Sequence, residues 1–228
     1  MKKYIFLDLD GTIFDFLYAE RVSLIGMLEE LGVSYDEDTP RLYSEINDKH
    51  WKALEVGKIT RDEVLTHRFT ELFEVLKTDA SPLDARRIYE RRLSLCYYYI
   101  DGAKELLDEL IKSDFKLYLA SNGTDSVQTK RIEVSGIGKY FDDIFISERI
   151  GHNKPSVLYF DECFRRIENF DKSLAVIVGD SLSSDILGGK NAGITTIWYN
   201  PCRLFAGDIT PDYEIYDLKE LIPLIKEI

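Results

Sequence analysis

Acidic residues follow the first apolar run of the chain in a pattern that could bind a divalent cation. Asp8 and Asp10 come after the run Tyr4–Leu7, and Gly11 stands beside them. Residues two positions apart on a continuous strand point to the same face, so Asp8 and Asp10 could act together, and Gly11 permits the chain to turn directly after them. The same pattern also fits an ordinary pair of acidic loop residues at a strand end.

Three other segments carry polar groups in comparable positions. Ser121–Gly123 follows a second apolar run, Lys154–Pro155 opens a predicted helix, and Gly179–Asp185 follows a further apolar run and contains two carboxylates. Ligands of open parallel sheets bind beyond the carboxyl ends of the strands. We therefore expect the four segments to meet at one edge of a sheet.

The elements that would position these segments are short apolar runs, rich in β-branched and aromatic residues and suited to buried strands. The predicted strands are Tyr4–Leu7, Lys116–Ala120, Asp143–Ile146, Leu174–Val178 and Thr195–Tyr199. Predicted helices begin at Asp101, at Thr124 (ending at Gly136), at Pro155, and at Ser183 or Ser184 (ending before Gly193). Strands and helices that alternate in this way predict right-handed crossovers and a parallel sheet.

More than 100 residues without a strand run separate the first two predicted strands. Helix starts occupy this stretch instead, with capping boxes predicted at Thr60–Glu63 and Ser81–Asp84. We predict that residues 15–98 form a helical cap inserted into a core made of residues 1–14 and 99–228. The predicted fold class is α/β, a Rossmann-like parallel sheet core with an inserted helical cap domain.

Composition restricts the partners of the chain. With 29 basic and 41 acidic side chains in 228 residues, the net charge of −12 would repel nucleic acid polymers and anionic membranes. A small phosphorylated substrate stays compatible with this charge if a metal ion and a lysine reverse the field locally. The cysteines Cys96, Cys163 and Cys202 form no Cys-x-x-Cys pair, and the first apolar run is too short for a signal sequence, so a cytoplasmic location is expected. A monomer and a small homo-oligomer both remain open.

In this order, the four segments resemble the motifs of the haloacid dehalogenase superfamily of phosphohydrolases, many of which carry a helical cap at the same point. Within it, the chain resembles the pyrimidine 5′-nucleotidase group. The residues that carry this second resemblance are Asn47, Trp51, Gly57, Ile59, Thr60, Arg68 and Phe69, with Asp185–Gly189 and Asn191–Gly193. The resemblance implies a Mg²⁺-dependent phosphomonoesterase that acts through an aspartyl-phosphate on a nucleoside 5′-monophosphate.

The residue chemistry is compatible with that reaction. Asp8 is the expected nucleophile, and because it must attack a dianion, a cation has to lie between them. Asp8, the backbone carbonyl of Asp10 and the carboxylate of Asp180 are the expected Mg²⁺ ligands. Asp185 would bind the metal through water or orient a ligand, and a plain helix-terminal charge is its alternative role.

Proton transfer and phosphate binding are expected from the remaining motif residues. Asp10 would protonate the leaving alkoxide and then activate water. Ser121, with Asn122 and Gly123, would hold the phosphate oxygens, and Lys154 would neutralise both the phosphate and the nucleophile.

Substrate choice is expected in the cap and at its hinge. Phe14 could contact a flat base, and Trp51 and Asn47, one helical turn apart, could face the substrate together. Packing of the cap helices is the alternative role for any of these side chains.

Other functions use related residues. Another small-metabolite phosphatase or a sugar phosphomutase of the same superfamily would share all four motifs. A dehalogenase of the superfamily has a non-acidic residue where this chain has Asp10. Outside enzymes, a phospho-aspartate signalling module would use a similar set of groups, but such receivers are about half as long and have no cap.

Overall fold

The computed structural model of the protein describes residues 3–228. Met1 and Lys2, at the start of the predicted core, lie outside this range. The strands are β1 (Tyr4–Leu7), β2 (Lys116–Ser121), β3 (Asp143–Ile146), β4 (Ala175–Gly179), β5 (Thr195–Tyr199) and β6 (Tyr213–Ile215). The helices are α1 (Phe16–Leu31), α2 (Thr39–Glu55), α3 (Arg61–Leu76), α4 (Pro82–Leu93), α5 (Ala103–Leu110), α6 (Asp125–Ser135), α7 (Ser147–Ile150), α8 (Val157–Arg165), α9 (Leu187–Ala192) and α10 (Leu221–Glu227).

The six strands form one parallel sheet in the order β3-β2-β1-β4-β5-β6. Successive residues of β1 enter different cores: Ile5 and Leu7 join one buried apolar cluster, and Phe6 joins the cluster on the other face. The sheet is therefore covered on both faces, as parallel sheets require. This confirms the predicted α/β class with a parallel sheet.

The chain divides into two compact units. One contains the residues up to Asp15 together with Tyr98–Ile228 and holds the sheet; the other is Phe16–Tyr97 and holds α1 to α4. The predicted boundaries, residues 15–98, differ from this division by one residue at each end. No helix in residues 3–228 combines the length and the apolar composition that crossing a membrane requires.

Side-chain caps set several helix starts. Thr60 accepts a hydrogen bond from the amide of Glu63 in a full capping box, and Ser81 accepts one from the amide of Asp84. The predicted start of α8 at Pro155 is wrong by two residues, because the Ser156 hydroxyl accepts a bond from the amide of Leu158 and caps the helix there.

The segment after β4 departs from the prediction of a single helix. A π-helical turn at Leu182–Ile186, capped by Ser181, precedes α9, and the helix ends before Gly193 as expected. Strand β6 was not predicted from the sequence, since it has three residues and only Ile215 is buried.

Candidate active site

The central strand β1 brings its carboxyl end between those of β2 and β4. Leu7 is in register with Leu119 of β2 and Val178 of β4. The amide of Asp8 donates a 2.9 Å hydrogen bond to the carbonyl of Val178. Polar residues that end or follow these three strands are consequently neighbours.

Three carboxylates form a cluster at this edge of the sheet. One oxygen from each of Asp8, Asp180 and Asp185 lies within 4.8 Å of the others. Asp8 and Asp185 are buried, whereas Asp180 reaches solvent. Carboxylate oxygens are the ligands that Mg²⁺ prefers, and an excess of buried negative charge needs a cation, so the residues present fit this metal.

Lys154 is the buried cation of the cluster. Its Nζ donates to Oδ1 of Asp8 (2.7 Å), to Oδ1 of Asp185 (2.6 Å) and to the carbonyl of Ala120 (2.6 Å). All three ammonium protons thus have acceptors within the protein. The ion pair with Asp8 is compatible with the predicted neutralising role of Lys154, which stays a prediction, and a contact with phosphate would require one of these bonds to exchange.

Burial and mutual repulsion shift the protonation of the cluster. The pKa of Asp8 is raised well above its ordinary value, because burial and the charges of Asp185 and Asp180 outweigh Lys154. The pKa of Asp180 is raised to about 7, first because surrounding protein atoms desolvate its carboxylate and second because Asp185 repels its charge. This holds although part of the residue reaches solvent. Burial opposes the charge on Lys154, yet Asp185 and Asp8 together raise its pKa. One lysine is insufficient for three carboxylates, which is the electrostatic condition for binding a divalent ion.

Glycine is required where the loop after β1 passes Asp180. Gly11 has φ of +90°, and a Cβ there would lie 2.3 Å from Oδ2 of Asp180. A side chain would therefore clash as well as strain the backbone. The turn predicted at Gly11 is present.

Asp185 lies inside the cluster. It is 1% exposed, its Oδ1 accepts from Lys154, and its Oδ2 accepts a 3.2 Å bond from the amide of Ser181. These contacts orient Lys154 and the turn after β4. The side chain is placed to support the other charged groups rather than to stand free at a helix end.

Asn122 holds the backbone around Lys154. Its side-chain amide donates to the carbonyl of Lys154 at 2.9 Å and to Oγ of Ser184 at 3.1 Å, and its Oδ1 accepts from the amide of Lys154 at 2.8 Å. The side chain thereby ties the end of β2 to two other motif segments. The predicted phosphate contact of Asn122 stays a prediction.

Two functional candidates were missed from the sequence, Gln128 and Arg131 on α6. Gln128 donates to Oδ2 of Asp10 at 2.6 Å and to Oγ of Ser121 at 2.8 Å. Arg131 donates to Oδ1 of Asp10 at 2.5 Å. The available signal was a pair of polar residues three positions apart on the helix that directly follows the Ser121 segment.

Phe14 occupies a core position. It has no exposed surface, its ring meets Tyr99 edge-on, and the guanidinium of Arg131 lies 5.1 Å from its centroid. The predicted contact of Phe14 with a base finds no support in this placement, because packing has buried the ring.

Asn47 and Trp51 of the helical unit differ in how far their side chains are exposed. Asn47 is 3% exposed, donates to Oε1 of Glu20 at 2.7 Å and accepts from Arg68 at 2.8 Å. Its amide already bonds within the unit, which favours the alternative role in packing over the predicted substrate contact. Trp51 is partly exposed, and the guanidinium of Arg61 lies 5.5 Å from its ring centroid.

Comparison with known proteins is consistent with this geometry. The family model of haloacid dehalogenase-like hydrolases matches residues 4–199. The pyrimidine 5′-nucleotidase PynA of Streptococcus pneumoniae is 38% identical over 221 residues, covering 96% of this chain and 93% of its own. The pyrimidine 5′-nucleotidase YjjG of Escherichia coli is 32% identical over 223 residues and 97% of each chain.

A solved structure with a similar fold is that of the HAD-hydrolase YfnB of Bacillus subtilis, determined bound to magnesium. It superposes with a TM-score of 0.92 at 38% identity, covering 98% of each chain. With its motif residues assembled around β1 and these similarities along almost its full length, the chain belongs to the haloacid dehalogenase-like hydrolases.

Proposed function

We propose that this protein is a Mg²⁺-dependent phosphomonoesterase that forms an aspartyl-phosphate on Asp8, with pyrimidine nucleoside 5′-monophosphates as its substrates. The observation that carries the proposal is the state of the Asp8 carboxylate. Lys154 holds its Oδ1, whereas Oδ2 accepts no hydrogen bond from any residue within 3–228. One oxygen is therefore held by the Lys154 ammonium group while the other is available to attack phosphorus.

The reaction is a double displacement at phosphorus. An oxygen of Asp8 bonds to phosphorus as the ester P–O bond breaks, and the leaving alkoxide takes a proton from Asp10. Water then attacks the aspartyl-phosphate, gives its proton to Asp10, and releases inorganic phosphate and free Asp8. A bound Mg²⁺ supplies positive charge that reduces repulsion between the carboxylate and the phosphate dianion. Asp8, Asp180 and the backbone carbonyl of Asp10 would hold it, supported by Asp185.

Ser121 is prepared to donate to a phosphate oxygen. Its Oγ accepts hydrogen bonds from the amide of Gly123 at 3.1 Å and from Gln128 at 2.8 Å. A hydroxyl has two acceptor sites and one proton, so its remaining capacity is to donate. Within the described chain no residue accepts that proton.

The choice of a nucleotide rests on similarity. Two relatives at 38% and 32% identity are named pyrimidine 5′-nucleotidases, and their matches cover the cap region as well as the core. The partly exposed Trp51 is the cap aromatic that we retain as a candidate base contact.

The test is a steady-state panel with Mg²⁺ that contains pyrimidine and purine nucleoside 5′-monophosphates, sugar phosphates and phosphoglycolate. Pyrimidine nucleotides should give the highest kcat/KM, and Asp8→Asn should abolish release of phosphate from every substrate. A higher kcat/KM for a sugar phosphate would contradict the assigned substrate. An isomerised sugar phosphate as the product would indicate a phosphomutase instead.

A further inference from the structure

Gln128 and Arg131 connect two groups that the proposed reaction uses separately. The side-chain amide of Gln128 donates one hydrogen bond to Oδ2 of Asp10 and one to Oγ of Ser121. Arg131 donates to the other Asp10 oxygen, Oδ1, and to Oε1 of Gln128 at 3.0 Å. Both carboxylate oxygens of Asp10 are therefore held from a single helix.

The chemistry of Arg131 determines the orientation of the Gln128 amide. A guanidinium has donors and no acceptor, so the atom of Gln128 that faces Arg131 must be the carbonyl oxygen. The NH₂ group must then face Asp10 and Ser121, which both accept from it. The amide cannot flip without placing donor against donor.

Both side chains lie in the interior. Gln128 is 1% exposed and Arg131 has no exposed surface, and the Arg131 guanidinium lies over the buried ring of Phe14, 5.1 Å from its centroid. A buried guanidinium requires a carboxylate partner, and Asp10 is the carboxylate that Arg131 contacts at 2.5 Å. The pair is consequently fixed by packing rather than by solvent-exposed contacts.

We propose that Gln128 and Arg131 are positioning residues that lock the acid–base carboxylate of Asp10 and the phosphate-binding hydroxyl of Ser121 into one geometry. This inference rests on the proposed phosphatase function. Gln128 directs the Ser121 proton outward by occupying one of its acceptor sites, and the pair sets the rotation of the Asp10 carboxylate. Both residues act through the side chains of Asp10 and Ser121.

If Gln128 and Arg131 position Asp10, their replacement has a kinetic signature that the loss of a purely structural role would not have. If the carboxylate rotates away, substrates whose leaving group needs a proton slow down, whereas an activated aryl phosphate does not. General instability of α6 would lower the rate for all substrates by the same factor. The dependence of kcat/KM on the leaving-group pKa therefore separates the two roles.

The experiment compares Gln128→Met and Arg131→Lys with the wild type on a pyrimidine nucleotide, phenyl phosphate and p-nitrophenyl phosphate, with Mg²⁺ present. Gln128→Met retains the side-chain length and removes both donors. We expect its kcat/KM to fall at least about tenfold more on the nucleotide than on p-nitrophenyl phosphate, with phenyl phosphate between them. Arg131→Lys, which retains the charge, should show the same trend with a smaller spread.

The Ser121 contact has its own readout, competitive inhibition by inorganic phosphate. Gln128→Met should raise the inhibition constant several-fold, because the hydroxyl loses the bond that directs it. When Gln128→Met is added to Asp10→Asn, the dependence of kcat/KM on the leaving-group pKa should be the same as in Asp10→Asn alone. Lys130→Gln, at an exposed position on the same helix, is the matched control and should behave as the wild type.

The outcomes separate this inference from the proposed function. Equal loss of kcat/KM on all three substrates, together with an unchanged phosphate inhibition constant, would overturn the positioning role. If Arg131→Lys does not fold, Gln128→Met alone decides, because Gln128 contacts both groups. A wild-type enzyme without phosphatase activity, or an Asp8→Asn variant that retains it, would instead overturn the proposed function.

Discussion

The sheet-bearing unit and the helical unit each bury charged groups, but they balance them differently. In the sheet-bearing unit, one lysine faces the carboxylates of Asp8, Asp180 and Asp185. In the helical unit, Asn47 bridges a single carboxylate, Glu20, and a single guanidinium, Arg68. The first arrangement requires another cation, whereas the second provides one guanidinium for its one carboxylate. In this protein, unbalanced charge rather than burial alone distinguishes the candidate metal site from the network of the helical unit.

The largest expected effect is at Asp10. Its carboxylate is held by Gln128 and Arg131 and is not one of the three clustered carboxylates. Asp10→Asn should lower kcat on nucleotides by roughly 10²- to 10⁴-fold, because the leaving alkoxide loses its proton donor. The loss on p-nitrophenyl phosphate should be much smaller. Initial rates on the two substrates under the same Mg²⁺ concentration measure this ratio, and equal losses on both would refute the acid role.

The next prediction concerns the hydrogen-bonded network of Glu20, Asn47 and Arg68 in the helical unit. Asn47→Leu removes both hydrogen bonds and leaves Glu20 and Arg68 buried without their shared partner, which should lower the free energy of unfolding by about 2–4 kcal/mol. Urea unfolding measures this loss. The KM of the folded variant for nucleotides should stay within about twofold of the wild type. A raised KM with unchanged stability would restore the sequence-based interpretation of Asn47 as a substrate contact.

A pH-dependent prediction follows from Glu20 in the same network. Burial raises its pKa from 4.5 to about 7, against the hydrogen bonds from Ser44 and Asn47 and the charge of Arg68. The native state then binds the proton more tightly than the unfolded chain does. This group makes the free energy of unfolding fall as pH rises from about 4.5 to about 7, by on the order of 3 kcal/mol, with no further change above that range.

Glu20→Gln should remove this slope, because the amide does not titrate. Urea unfolding of wild type and variant at several pH values between 4.5 and 8 provides the comparison. Parallel curves for the two proteins would show that Glu20 does not titrate in this range.

The smallest expected effect separates two aromatic residues of the helical unit. Trp51→Ala should raise the KM for pyrimidine nucleotides by about tenfold and leave p-nitrophenyl phosphate unaffected, since a small aryl phosphate does not need the stacking contact. Phe69 is the matched control: it is fully buried and stacked on Tyr43, so Phe69→Ala should instead cost about 3–5 kcal/mol of stability. If Trp51→Ala lowers the melting temperature and affects both substrates alike, Trp51 belongs to the packing of its unit.

The sequence was sufficient to predict the parallel sheet and the convergence of the motif segments, because apolar runs and strand-end polarity are local signals. It could not predict that Gln128 and Arg131 are buried against Asp10. That contact joins residues 118 and 121 positions apart and depends on how α6 packs. Phe14 shows the same limit, because the sequence around an aromatic residue does not reveal whether its ring faces a ligand or the core.

The central claim is that Asp8 becomes phosphorylated during turnover, and acid-quenched mass spectrometry tests it most directly. Enzyme mixed with Mg²⁺ and a pyrimidine nucleotide, then quenched within a single turnover, should carry one phosphoryl group on the peptide that contains Asp8. The signal should be absent in Asp8→Asn and, when metal is chelated, in the wild type. Substrate turnover with no phosphorylated peptide, or with the phosphoryl group on another residue, would contradict the account.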